Sequence, residues 1–342
     1  MDANATDQKV EYKQGPAPFN EAEADVVLRS SDHVEFRVPK ILLTIFSPVF
    51  RDILGMPAPS SASGSATTPS GSPVTVVDVA EHSDVLHGLL SFCHPATCLP
   101  KMKVDETYAL YMAADKYAIE GLKLCTKEQI ETFVDTDPVA VYAMSFREKW
   151  EDLAKRAARR TLSSSYVDIT RYNCKTLDLL PASAMPKLWS YYDNNRRYLL
   201  QAVNVEAIMT ETVYTICNCD GRWYDEDDVE INDPERLFYA LEDENKCCSI
   251  HPDSVKEFSV PVYFKTWWLT FMREVAETIA DVPEPVDRIS KMPRLFRNAV
   301  EEAGRCKRCG PIAYDALLKY SYHLSNELRD AMRNFYILKF DS

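Results

Sequence analysis

The most restrictive feature of the sequence is a strict alternation near its N-terminal end. Between His33 and Val38, Val34, Phe36 and Val38 are apolar while Glu35 and Arg37 are polar. A period of two predicts a half-buried strand. Val26-Val27-Leu28, just upstream, is a second β-rich run, and the turn residues Ser30-Ser31-Asp32 separate the two. Together they predict a hairpin. Pro39 ends it. Lys40–Phe46 and Ser47–Leu54 then suit two short helices, with Ser47 capping the second and Pro48 in its first turn. Val74–Val79 is β-branched and predicts another strand. A helix capped by Ser83 should carry Leu86, Leu89, Leu90 and Cys93 at helical spacing. Further helices are expected from Asp105, with Tyr108, Tyr111 and Met112 on one face, and over Tyr117–Phe133.

The flanking segments differ in character. Residues 1–20 read as a flexible tail. Residues 56–73 are almost entirely Pro, Ser, Ala, Gly and Thr, a composition that cannot build a core and reads as a disordered insertion. From Pro138 onward helical spacing dominates: Val139–Trp150, Trp150–Thr161, Leu177 to about Ala202, Trp267–Ala280, Pro293–Ala303 and Ile312 to about Tyr336. Glu211–Asp253 interrupts it with a loop-rich stretch holding acids at Asp225–Asp228. The expected organisation is a tail (1–20), an α+β domain (21–133), a helical region (134–205) and a mainly helical, cysteine-bearing C-terminal region (206–342). A chain of 342 residues has room for these parts.

The blocks at the joints, in their order, resemble a known family. They are Ala24-Asp25-Val26-Val27-Leu28, Phe36-Arg37-Val38-Pro39-Lys40-Ile41-Leu42-Leu43, Ser47-Pro48-Val49-Phe50-Arg51-Asp52-Ile53-Leu54, Leu89-Leu90-Ser91-Phe92-Cys93 and Ala113-Ala114-Asp115-Lys116-Tyr117-Ala118-Ile119-Glu120-Gly121-Leu122. This looks like a BTB/POZ domain, a small sheet covered by helices. The whole chain resembles fungal BTB proteins with a helical C-terminal extension. Pro39 departs from the family, which usually has His at that position.

The resemblance implies an interaction module. BTB/POZ domains commonly homodimerise through the first strand and first helix, and many recruit partners, cullin scaffolds of ubiquitin ligases among them. Asp25 and Lys40 match the charged pair of the family's dimer pocket; alternatively, Asp25 caps the chain entry and Lys40 is solvated. Phe92, Cys93 and His94 fall where the family binds partners. The family's cullin contact uses an apolar-x-acid element there, and Cys93–Cys98 contains no acid. The expected function is a non-enzymatic adaptor that homodimerises and recruits other proteins. The alternatives are a substrate adaptor of a cullin-type ligase and a BTB-type transcriptional regulator.

The second half carries Cys217-Asn218-Cys219 and Cys306-Lys307-Arg308-Cys309. Four thiolates can close a tetrahedral structural zinc site, and the resembled extension often has two such pairs. Unrelated reduced cysteines are the other reading. Cys247, Cys248 and His251 are alternative ligands or exposed loop groups. Cys93, Cys98, Cys125 and Cys174 are expected to be buried structural thiols.

No catalytic residue is expected. The six histidines sit in no triad-like or metalloprotease setting, and nine glycines leave little room for a phosphate loop. Asp225–Asp228 lacks the alternating ligands of a calcium loop. A net charge of −13 argues against nucleic acid as a partner. No paired Cys and His finger spacing is present. The polar N-terminus lacks a secretory h-region, and the longest apolar stretch, Ile41–Phe46, is far short of the roughly 20 residues a membrane span takes. A cytoplasmic and/or nuclear location, with cysteines reduced, is expected.

Overall fold

The computed structural model describes residues 11–56, 67–71, 73–172, 183–209, 239–240, 249–250, 263–283 and 286–333. Two compact units divide the chain between Ser145 and Phe146.

The first unit is built on a four-stranded sheet of order β1-β3-β2-β4. Its strands are β1 (Lys13–Gln14), β2 (Val26–Arg29), β3 (Val34–Val38) and β4 (Thr75–Asp78). The predicted hairpin is β2–β3, antiparallel, with Val26 opposite Val38 and Leu28 opposite Phe36. That register puts Val26, Leu28, Phe36 and Val38 on one buried face. β4 runs parallel to β2 along its other edge.

Helices α1 (Lys40–Phe46), α2 (Pro48–Gly55), α3 (Ser83–Cys93), α4 (Val104–Lys116) and α5 (Glu120–Thr132) complete the unit. The Ser47 hydroxyl caps α2 by accepting from Phe50 N at 3.0 Å, and donates to Tyr117 O at 2.6 Å. Phe50 stacks on Tyr117 with centroids 4.4 Å apart. Leu86, Leu89, Leu90 and Cys93 of α3 face the core as their spacing predicts, whereas Cys98 and Cys125, expected to be buried, are exposed, and Cys174 lies outside the described residues. The helix reading over Tyr117–Phe133 is interrupted, because Ala118 adopts φ 51° and separates α4 from α5.

Three local expectations are corrected. The tail is shorter than residues 1–20: Lys13–Gln14 pairs parallel with β3, and Phe19 is 1% exposed in the core. The insertion is ordered at its C-terminal end. Thr67 bridges Pro73, and the Ser70 hydroxyl donates to Glu23 at 2.6 Å; residues 57–66 and 72 lie outside the described residues. Ser83 does not cap α3. It is the first helical residue, and a distant carboxylate, Asp32, accepts from its amide at 2.8 Å and its hydroxyl at 2.7 Å. Burial works against the Asp32 charge, but the hydrogen bonds from Ser83 and Ser30 outweigh it and hold the carboxyl at about 2.

α6 (Pro138–Arg147) spans the division between the units. The second unit follows with α7 (Glu151–Thr161), α8 (Tyr166–Arg171), α9 (Ala184–Ala202) and α10, described over 205–209. After them come α11 (Thr266–Asp281), α12 (Pro293–Gly304) and α13 (Gly310–Arg333). Two-residue strands β5 (Tyr239–Ala240) and β6 (Ser249–Ile250) flank β7 (Tyr263–Lys265) in an antiparallel sheet of order β5-β7-β6. The core joins α9 and α11–α13 around Trp267, Trp268, Phe271, Phe296 and Tyr320. The Tyr192 hydroxyl of α9 donates toward Ser164 O at 2.9 Å and Asp281 O at 3.1 Å, and Arg196 Nη1 donates to Ala280 O at 3.2 Å. Both serve the carbonyl end of α11. The expected features at Leu177–Ala182 and Asp225–Asp228 lie outside the described residues.

Candidate interaction surface

The surface begins with a helix too apolar for its exposure. α1 reads Lys-Ile-Leu-Leu-Thr-Ile-Phe, and only Leu43 is fully buried. Ile41 and Ile45 are 62% and 60% exposed, and Phe46 is 39% exposed. Ile41 and Ile45 are four residues apart and therefore neighbours on one helix face. Two neighbouring aliphatic side chains of α1 are thus open to solvent.

The ends of α1 are held firmly. Asp25 Oδ1 accepts from the Lys40 backbone amide at 2.6 Å, so a carboxylate from β2's entry caps the helix N-terminus. Lys40 Nζ donates to Leu54 O at 2.7 Å, in the last turn of α2. Arg51 donates to Thr44 O through Nε at 3.2 Å and Nη2 at 3.0 Å. The structure thus brings Asp25 and Lys40 together, but their charges are used separately. The carboxylate serves a backbone amide, and the ammonium serves the carbonyl end of α2.

Phe92, Cys93 and His94 end α3 and point in different directions. Phe92 is half-buried, with its ring edge-on to Phe46 at 5.9 Å. Gly121 of α5 makes room for it: a Cβ there would lie 3.0 Å from Phe92 Cζ. His94 is half-buried, its ring edge-on to Phe19 at 5.8 Å. Cys93 departs from the expected partner-binding trio. It is 3% exposed within the core, and burial pushes its thiol up to about 12. Of the three, Phe92 and His94 keep part of their side chains at the surface.

Sequence reasoning found the helix of Ile41, Ile45 and Phe46 but not its outward face. The available signal was that five of the seven residues of α1 are apolar, more than a short surface helix can bury by itself. The sequence profile of the BTB/POZ domain matches residues 18–133. This segment is a BTB/POZ domain. No curated protein matches the chain. BTB/POZ domains are generally adaptors in protein interactions, mediating self-association and binding to other proteins. Among the described residues no helix is long and apolar enough to cross a membrane.

Beyond the BTB/POZ domain, the cysteine pair Cys306 and Cys309 occupies the turn between α12 and α13. Cys306 N donates to Ala303 O at 3.0 Å, Gly310 N to Cys306 O at 2.9 Å, and Ala313 N to Cys309 O at 3.0 Å. Cys306 is half-buried and Cys309 is buried. Among the described residues no group of three or more His, Cys, Asp or Glu is placed to hold a metal. Cys217, Cys219, Cys247, Cys248 and His251 lie outside the described residues.

Proposed function

We propose that this chain is a non-enzymatic adaptor that forms a homodimer through α1 of its BTB/POZ domain and recruits another protein. The observation that carries the reading is the exposed face of Ile41 and Ile45, backed by the fixed ends of α1. A symmetric dimer would cover the same patch on both copies. Light scattering on the full chain tests it. A dimer at micromolar concentration is expected, and a strictly monomeric chain would sink the reading.

Recruitment of a cullin scaffold is the finer alternative, and it has one observation in its favour: Phe92 and Phe46 form an aromatic pair at the end of α3. Affinity purification with and without Phe92→Ala tests it. A cullin should co-purify with the native chain and be lost from the variant; no cullin in either sample removes the alternative. A structural zinc held by Cys306, Cys309, Cys217 and Cys219 is a separate proposal. The Cys306–Cys309 turn supports it, since a Cys-x-x-Cys turn can offer two thiolates to one ion.

A further inference from the structure

Residues 11–20 lie along the open edge of β3 as a strap. Lys13 N donates to His33 O at 2.9 Å, Gly15 N donates to Glu35 O at 2.8 Å, and Arg37 N donates to Phe19 O at 2.8 Å. The pairing is parallel and only two residues long as a strand. This is the geometry by which an extended peptide adds itself to a sheet edge, with backbone bonds supplying affinity and alternate pockets supplying selectivity.

Three side positions of the strap face inward. The Tyr12 ring stands edge-on to His33 at 5.5 Å, under the Arg29 guanidinium at 4.4 Å. Gly15 is pressed against the strand: a Cβ there would lie 2.9 Å from Phe36 Cδ1 and 3.1 Å from Glu35 O. Phe19 is buried between three rings, Phe36 at 6.4 Å, His87 at 5.7 Å and His94 at 5.8 Å. Between these anchors Lys13, Gln14, Pro16 and Ala17 are exposed, and so are Glu21 and Glu23 on the connection to β2. The strap is therefore read by position: an aromatic ring, a glycine three residues on, and a phenylalanine four further.

We infer that the β3 edge, with the socket of Phe36, His87 and His94, is a linear-peptide site that residues 12–19 fill in cis. An extended segment of a partner protein takes their place, carrying an aromatic residue, glycine and phenylalanine at the spacing of Tyr12, Gly15 and Phe19. The glycine requirement is steric and the phenylalanine requirement is burial, so both are properties of the groove and not of this particular strap. Because the strap is tethered, it competes at an effective concentration on the order of millimolar. The site is thus self-masked, and a partner gains access when the strap is displaced.

The test uses the full chain and a fluorescent synthetic peptide of residues 11–22 as the probe. Fluorescence anisotropy compares the native chain with Phe19→Ala and with Gly15→Val. Both variants should bind the peptide saturably and at least about tenfold more tightly than the native chain. Peptides carrying Gly15→Val or Phe19→Ala should not bind. Gly15→Val leaves the Phe19 anchor in the sequence, so it decides the matter if Phe19→Ala fails to melt cooperatively. The inference is overturned if a cooperatively melting variant shows no saturable binding, if variants and native chain bind alike, or if native and substituted peptides bind alike. It is also overturned if the variants lose dimerisation without gaining peptide binding, since that assigns the segment to exchange between copies.

Discussion

Replacing Ile41 and Ile45 together by Asp should dissolve the proposed dimer without unfolding the protomer. Full burial of an isoleucine side chain contributes about 1.5–3 kcal/mol. At 62% and 60% exposure, covering each side chain gains roughly 0.9–1.8 kcal/mol on the same scale. A symmetric interface covers four of them, giving about 4–7 kcal/mol. Losing that term alone weakens the dimer by roughly a thousandfold or more, and placing four carboxylates near a two-fold axis adds repulsion. The folded protomer loses little, because exposed substitutions usually move stability by about 0.5 kcal/mol or less. Sedimentation velocity over a dilution series reads the dissociation constant, and a circular-dichroism melt checks the fold. If the double variant keeps its cooperative melt and still dimerises within tenfold of the native constant, α1 is not the dimer face.

Three other perturbations test the supporting structure. Asp32→Asn should cost about 1–2 kcal/mol at neutral pH by weakening the α3 cap. The Asp32 carboxyl sits at about 2 in place of its usual 3.8, so its contribution is present above 3.8 and is lost as pH falls through 2. The difference in Tm between native and variant should shrink over that window in melts taken from pH 7 downward. Tyr117→Phe removes the hydroxyl that donates to Glu81 Oε2 at 2.6 Å, leaving that carboxylate with Lys116; urea unfolding should show a loss of roughly 1–3 kcal/mol. If the zinc proposal holds, elemental analysis should find one zinc per chain, and a chelator should lower the Tm of the native chain but not of Cys306→Ser.

Much of the first unit was legible because its signals are periodic. The alternation over Val34–Val38 and the spacing of Leu86, Leu89 and Leu90 each repeat a pattern that one buried face requires. Phe19 was not legible, since a single aromatic between Pro18 and Asn20 has no period, and only the β3 edge gives it a place. Asp32 was missed as the cap of α3 because its partner Ser83 lies 51 residues away, beyond any local cap signature. Cys93 shows two signals in conflict. Its helical spacing assigned it to the core, its position in the resemblance assigned it to a partner, and the spacing prevailed. Ala118 has no signal of its own: a left-handed alanine is unfavourable by itself, and the hydrogen bond from Ile119 N to Ala114 O at 2.8 Å is part of what holds the chain through it.

The Thr67–Pro73 bridge has a consequence for how the domain tolerates change. It pinches the chain together just before β4 joins the sheet edge, so a closed turn leads into β4 after the interval from Met56 to Thr67. Doubling a loop's length costs only about 0.6 kcal/mol in closure entropy. That interval is a splice point, where a cassette could be lengthened, shortened or replaced by a reporter while the hairpin, α1 and the strap keep their places.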